Sequence, residues 1–186
     1  EHYKSMGTEK SPGTKIFTIS GDVNKPGYYE TPMGVTLRSL IDHLAGGMKD
    51  NKKFKAAILG GAAGTFVDET VLDTPMGFDT LKEKGAVLGS GAIIVMSEER
   101  SIFDMTYSIL EFFKHESCGK CVPCRIGTTQ LMIMMDKAKE TPAKKEQILE
   151  QLLYEADYMA KNSLCPLGQS PILPIKSLKQ FFQHQF

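Results

Sequence analysis

The chain has 186 residues, enough for one large domain or two small ones, and its hydrophobic fraction of 41% is ordinary for a soluble globular protein with a packed core. Its 22 basic side chains balance 22 acidic ones, so no bulk attraction draws it to nucleic acid or to an anionic membrane, and a protein is the expected partner. No apolar run approaches the roughly 18 residues of a membrane span and no charged start leads into an apolar core, so direct membrane insertion is not expected and a cytoplasmic location is.

In chain order, residues 1–15, EHYKSMGTEKSPGTK, are polar with turn-formers at Gly7, Pro12 and Gly13, and they read as a linker or an incoming edge. An opening Glu1-His2-Tyr3 without an initiator methionine is expected to be a cut from something longer. Ile16 to Ser20 and Tyr28 to Thr31, joined through Gly21-Asp22 and Lys25-Pro26-Gly27, predict a hairpin. Thr36 can cap a helix carrying Leu37, Leu40, Ile41 and Leu44, with Gly46-Gly47 as its stop. Ala56 to Leu59 predicts a third strand, Phe66-Val67 the start of a fourth, Phe78 to Lys84 a short helix, and Ala92 to Ser97 a buried strand. This order predicts an α+β fold whose first domain, residues 16–98, is a β-grasp.

From Ser101 onward every segment has helical period. Ile102, Met105, Ile109 and Phe112 stripe one helix, and Leu131, Met134, Met135 and Ala138 a second that starts after Cys124. Ile148, Leu152, Ala156 and Met159 stripe a third, and Ile175, Leu178, Phe182 and Phe186 a fourth. Residues 101–186 are therefore expected to form an up-down four-helix bundle. In that topology the connection after the first helix and the one after the third share an end.

Those two connections hold all four cysteines. Cys118, Cys121 and Cys124 recur every three residues in ESCGKCVPCRIGT, and Cys165 is followed at once by Pro166. Three thiolates in a tight loop with a remote Cys-Pro is the ligand arithmetic of one cubane [4Fe-4S] cluster. The surroundings suit an anion: Gly119 can take a positive φ, Pro123 stiffens the turn, Lys120 and Arg125 supply cations, and the following helix brings the positive end of its dipole. A structural zinc site would use the same four sulfurs, although zinc usually takes two Cys-x-x-Cys pairs. Two disulfides suit the spacing poorly, since neighbours three apart pair only under strain. His115 reads as a surface or supporting residue, the Met132 to Met135 run as core, and the glycine clusters at 60–64 and 89–91 as tight turns.

The segments TEKSPGTK, ISGDVNKPGYYE, LDTPMGFDTL, GSGAIIVM, ESCGKCVPCRIGT and SLCPLGQS carry a resemblance that covers nearly the whole chain. It resembles the C-terminal half of the flavin-carrying, NADH-oxidising subunit (the 51 kDa type) shared by respiratory complex I, NAD(P)-linked hydrogenases and NAD-dependent formate dehydrogenases. The resemblance implies a soluble-ligand-binding β-grasp (SLBB) domain, then a helical domain binding a [4Fe-4S] cluster at Cys118, Cys121, Cys124 and Cys165. It also implies that FMN and NAD(P)H belong to a preceding domain, to which residues 1–15 would be the link, so that these residues alone are expected to be inactive. The implied role is relay of single electrons from FMN to clusters in partner subunits, among them a ferredoxin-like 2Fe-2S subunit and a catalytic or cluster-bearing one. A competing reading is an interaction module, stapled by zinc or by a structural cluster, with a ligand-binding β-grasp domain.

Overall fold

A computed structural model describes residues 2–186, which divide into two compact units, one ending at Arg100 and one running from Ser101 to Phe186. In the first, β1 (Thr14–Gly21) and β2 (Gly27–Pro32) pair antiparallel with Phe17 opposite Tyr29. The period of two is visible in burial: Phe17 and Ile19 face inward while Ile16, Thr18 and Ser20 are exposed. Thr36 accepts the Ser39 N–H at 3.1 Å and caps α1 (Leu37–Ser39), which widens into a π-helical turn over Leu40–Leu44 and buries Leu37, Leu40 and Ile41. The chain then continues through β3 (Phe54–Leu59), β4 (Thr65–Val67), α2 (Phe78–Glu83) and β5 (Ala92–Ser97).

The five strands form one sheet in the order β2-β1-β5-β3-β4, with β1 parallel to β5 and the other pairs antiparallel. First and last strands lying parallel side by side, each flanked by an antiparallel neighbour, is the β-grasp arrangement. Asp22, just past β1, ties that strand to the end of β5. Its carboxylate accepts the Ser97 N–H at 2.9 Å and two Arg100 N–H groups, Nη2 at 2.8 Å and Nε at 3.0 Å. The Arg100 guanidinium holds this carboxyl well below the usual carboxylate range.

Residues 2–13 correct the expectation of a plain linker. His2–Ser5 make a 3-10 turn, the Thr8 N–H donates to the Ser11 carbonyl at 3.0 Å, and Ser11 and Gly13 are buried. Turn bonds and bonds to the rest of the unit, among them the Phe78 N–H to Ser11 Oγ at 3.4 Å and the Met33 N–H to the Gly13 carbonyl at 3.0 Å, order this stretch without an apolar pattern.

The second unit contains α3 (Ile102–Glu116), α4 (Val122–Glu140), α5 (Lys145–Asn162), α6 (Pro166–Gln169) and α7 (Ile172–Phe182). Ser101 caps α3 by accepting the Asp104 N–H at 3.1 Å. α4 packs against α3 and α5, and α5 against α7. The core holds Ile109, Phe113, Leu131, Met135, Leu152, Ala156, Met159, Ile175 and Leu178, all at most 5% exposed. Three details differ from expectation. Phe113 faces the core and Phe112 is 45% exposed; α4 begins at Val122, ahead of Cys124; and α6 is an extra helical turn between α5 and α7. Among the described residues no helix is long and apolar enough to cross a membrane.

Candidate metal centre

The chain reaches the site twice. α3 ends at Ser117, whose extended backbone turns the chain out of the helix, and Gly119 continues the turn at φ +74°, a conformation that a side chain disfavours. Cys121 is then the N-cap of α4, Pro123 sits in its first turn, where a missing N–H does no harm, and Cys124 lies on the same turn facing inward. On the second approach α5 closes with the Ser163 N–H donating to the Met159 carbonyl at 2.9 Å, and Cys165 is the N-cap of α6 with Pro166 next.

The two approaches converge. Cys118, Cys121, Cys124 and Cys165 line one cavity of about 130 Å³, together with Ser117, Lys120, Leu164 and Leu167. Cys124 is buried, Cys121 partly so, Cys118 and Cys165 are exposed, and all four are free thiols. Close packing of α6 makes this possible: a Cβ added at Gly168 would stand 2.5 Å from Ser163 Oγ and 2.8 Å from Cys124 Cβ. Arg125, expected as a cation for the site, turns its guanidinium to the loop instead, donating from Nη1 to the Gly119 carbonyl at 2.9 Å. His115 is exposed and faces Glu116.

The electrostatics differ from thiol to thiol. The N–H groups of Leu164 and Cys124 lower the pKa of Cys121, so the second approach helps to ready a sulfur of the first. Burial pushes the Cys124 thiol up; the Ser117 hydroxyl, 3.2 Å from its sulfur, opposes that, and charge on Cys121, Cys165 and Cys118 adds to the rise. Four thiols around a single cavity, which would repel one another once ionised, call for a cationic occupant.

The donor set also distinguishes among occupants. Among the described residues no three His, Cys, Asp or Glu side chains close on one ion-sized point. The four cysteines line a space of about 130 Å³, where one water-sized occupant needs only about 10–15 Å³. A lone zinc would draw each sulfur to about 2.3 Å from a single centre. Four cysteines around a larger void fit an iron-sulfur cluster.

Sequence reasoning passed over Ser117, Ser163 and Gly168. The first two lie within two residues of a cysteine in SC and SLC, and hydroxyls so placed are the signal that could have found them.

Residues 104–186 match the family described as the NADH-ubiquinone oxidoreductase-F iron-sulfur binding region, and residues 16–65 match the SLBB domain. Over 184 residues the chain is 35% identical to an F-type subunit of the NADH-quinone oxidoreductase of Rhizobium meliloti (strain 1021), covering 99% of this chain and 44% of that protein. It is 37% identical over 185 residues to the F-type NADH-quinone oxidoreductase subunit of Rickettsia bellii (strain OSU 85-389), covering 98% of this chain and 44% of the relative. Among solved structures, a chain of an NAD+-reducing [NiFe]-hydrogenase in the H2-reduced state matches with a TM-score of 0.83 at 29% identity, covering 99% of this chain and 31% of that one. The chain thus spans less than half the length of the curated relatives that it matches.

Proposed function

We propose, from a chain that carries an SLBB domain followed by the iron-sulfur binding region of the NADH-quinone oxidoreductase F type, that its task is to pass single electrons within an NAD(P)H-linked oxidoreductase complex. The observation that carries this is the convergence of four thiols from two chain segments on one cavity. The ligands are Cys118, Cys121, Cys124 and Cys165. A [4Fe-4S] cluster bound there supplies one-electron chemistry, holding about one more negative charge when reduced. The residues do the rest: Cys121 is readied by two backbone N–H groups, Cys124 is shielded from water, and the Gly119 turn and Gly168 contact hold the two segments at the required separation.

The whole protein's activity would need more than these residues. FMN and NAD(P)H are assigned to a preceding domain of the parent, so this chain alone should neither bind FMN nor turn over NADH. Electrons would leave toward clusters in other subunits of a cytoplasmic complex, including a ferredoxin-like 2Fe-2S subunit and a cluster-bearing or catalytic one. The test is rapid mixing of the full-length parent with NADH. Flavin reduction should be followed by cluster reduction, and Cys124→Ser should abolish the second step while sparing the first. Cluster reduction that persists unchanged in that variant would reject the ligand assignment.

A further inference from the structure

Four hydroxyl-bearing residues are buried in the second unit: Thr106, Thr128, Ser163 and Ser177. Three of them do what hydroxyls on helices ordinarily do and donate to the carbonyl four residues back, Thr106 to Ile102, Thr128 to Cys124 and Ser177 to Leu173. Ser163 does not. It is 7% exposed and its Oγ has no hydrogen-bond partner, a net cost to folding unless something else occupies the donor. Its extended backbone turns the hydroxyl away from the α5 carbonyls, and its backbone is otherwise fixed: the N–H donates to Met159 and the carbonyl accepts Gln169 Nε2 at 2.9 Å. The hydroxyl is wedged where α6 meets α4, against Gly168, whose added Cβ would touch both it and Cys124.

Ser117 is its counterpart on the first approach. Its Oγ accepts the Gly119 N–H at 3.4 Å and stands 3.2 Å from Cys124 Sγ. With an acceptor position already taken by that N–H, and with a ligating Cys124 having no proton to give, its O–H points to the sulfur.

We infer that Ser117 and Ser163 are hydrogen-bond donors to the cluster's ligand sulfurs, Ser117 to that of Cys124, and that together they raise the reduction potential of the bound cluster. The inference rests on the ligand set proposed above. A donor to a ligand sulfur stabilises the more negative, reduced state more than the oxidised one, so its loss must make reduction harder. Neither serine is a ligand; each acts through a cysteine.

The experiment is EPR-monitored potentiometry of the anaerobically reconstituted 186-residue chain and of Ser163→Ala, Ser117→Ala and the double variant, each with iron and sulfide measured. Each single change should lower the one-electron equilibrium constant about three- to tenfold, a downward shift of roughly 30–60 mV at 59 mV per decade. The double variant should fall by about the sum. Resonance Raman bands of the Fe–S(Cys) modes should move in the same variants. A potential unmoved at full cluster occupancy overturns the inference and leaves the ligand set standing. If an alanine variant fails to hold its cluster, Ser163→Thr and Ser117→Thr decide: threonines that load normally at the parent's potential support a donor role. Threonines that stay empty or match alanine overturn it. A parent chain that takes up no iron and sulfide removes the ligand set and the inference together.

Discussion

Replacing Cys165 with serine separates what the metal does for the fold from what the fold does alone. In the metal-free chain the change should be nearly silent, because Cys165 is exposed and is the N-cap of α6, a position that serine fills well. In the loaded chain it opens the ring from Cys124 to Cys165, about 40 residues that include most of α4 and all of α5. By the chain-entropy relation for cross-links, closing a ring of that length removes unfolded-state freedom worth about 4 kcal/mol at 25 °C. Ligation of Cys118, Cys121 and Cys124 closes only rings of a few residues and contributes less. The assay is anaerobic denaturant unfolding of parent and variant, with and without reconstitution, joined to hydrogen exchange. Loading should stabilise the parent by several kcal/mol more than the variant. Exchange over Lys145–Asn162 and Ile172–Phe182 should quicken in the loaded variant while β1 to β5 are unchanged. Equal stabilisation at equal iron content would refute the reasoning, since the bundle would then be carrying a passenger.

Further outcomes are expected from the packing and from one carboxylate. Gly168→Ala drives a methyl against Ser163 and Cys124, and should destabilise the metal-free chain by about 1–3 kcal/mol, read as a lowered Tm; an unchanged Tm would mean that α6 yields freely. Phe113→Ala should cost about 3–5 kcal/mol and Phe112→Ala under about 1 kcal/mol, because only Phe113 is buried; comparable losses by urea unfolding would put the α3 face in the wrong phase. Asp22→Ala leaves the buried Ser97 N–H without its acceptor and should cost about 1–3 kcal/mol at neutral pH. The folded Asp22 carboxyl is depressed relative to an unfolded value of about 3.9, so its stabilisation is full above that pH and is lost as pH falls toward the folded value. The gap between parent and variant should therefore narrow below about pH 4, and a gap that widens on acidification would contradict the assigned pairing.

Much of this architecture is legible because local signals agree with it. The alternation in β1, the Thr36 cap and the Gly46-Gly47 stop each specify their element without help from distant residues. The α3 face was not legible to the residue: Ile109, Leu110, Phe112 and Phe113 make a broad apolar stripe, and only packing buries the first two with Phe113 while leaving Phe112 exposed. The start of α4 was obscured by its cysteines, although Pro123 in the first turn is itself a start signal. α6 is too short to have a period, and the fold over residues 2–13 rests on turn bonds and on distant polar partners that leave no pattern. For the site, three thiols could be read from one loop and the fourth placed by bundle topology. Ser117, Ser163 and Gly168 could not, because their contacts depend on how the α3–α4 turn closes and on the α4–α6 packing.

Elemental and spectroscopic analysis of the chain reconstituted anaerobically with iron and sulfide, with zinc offered in competition, bears most directly on the central claim. The expected result is about four irons and four inorganic sulfides per chain, with one reducible paramagnetic centre that disappears in Cys124→Ser. One zinc per chain that iron cannot displace, or iron bound without sulfide, would contradict it.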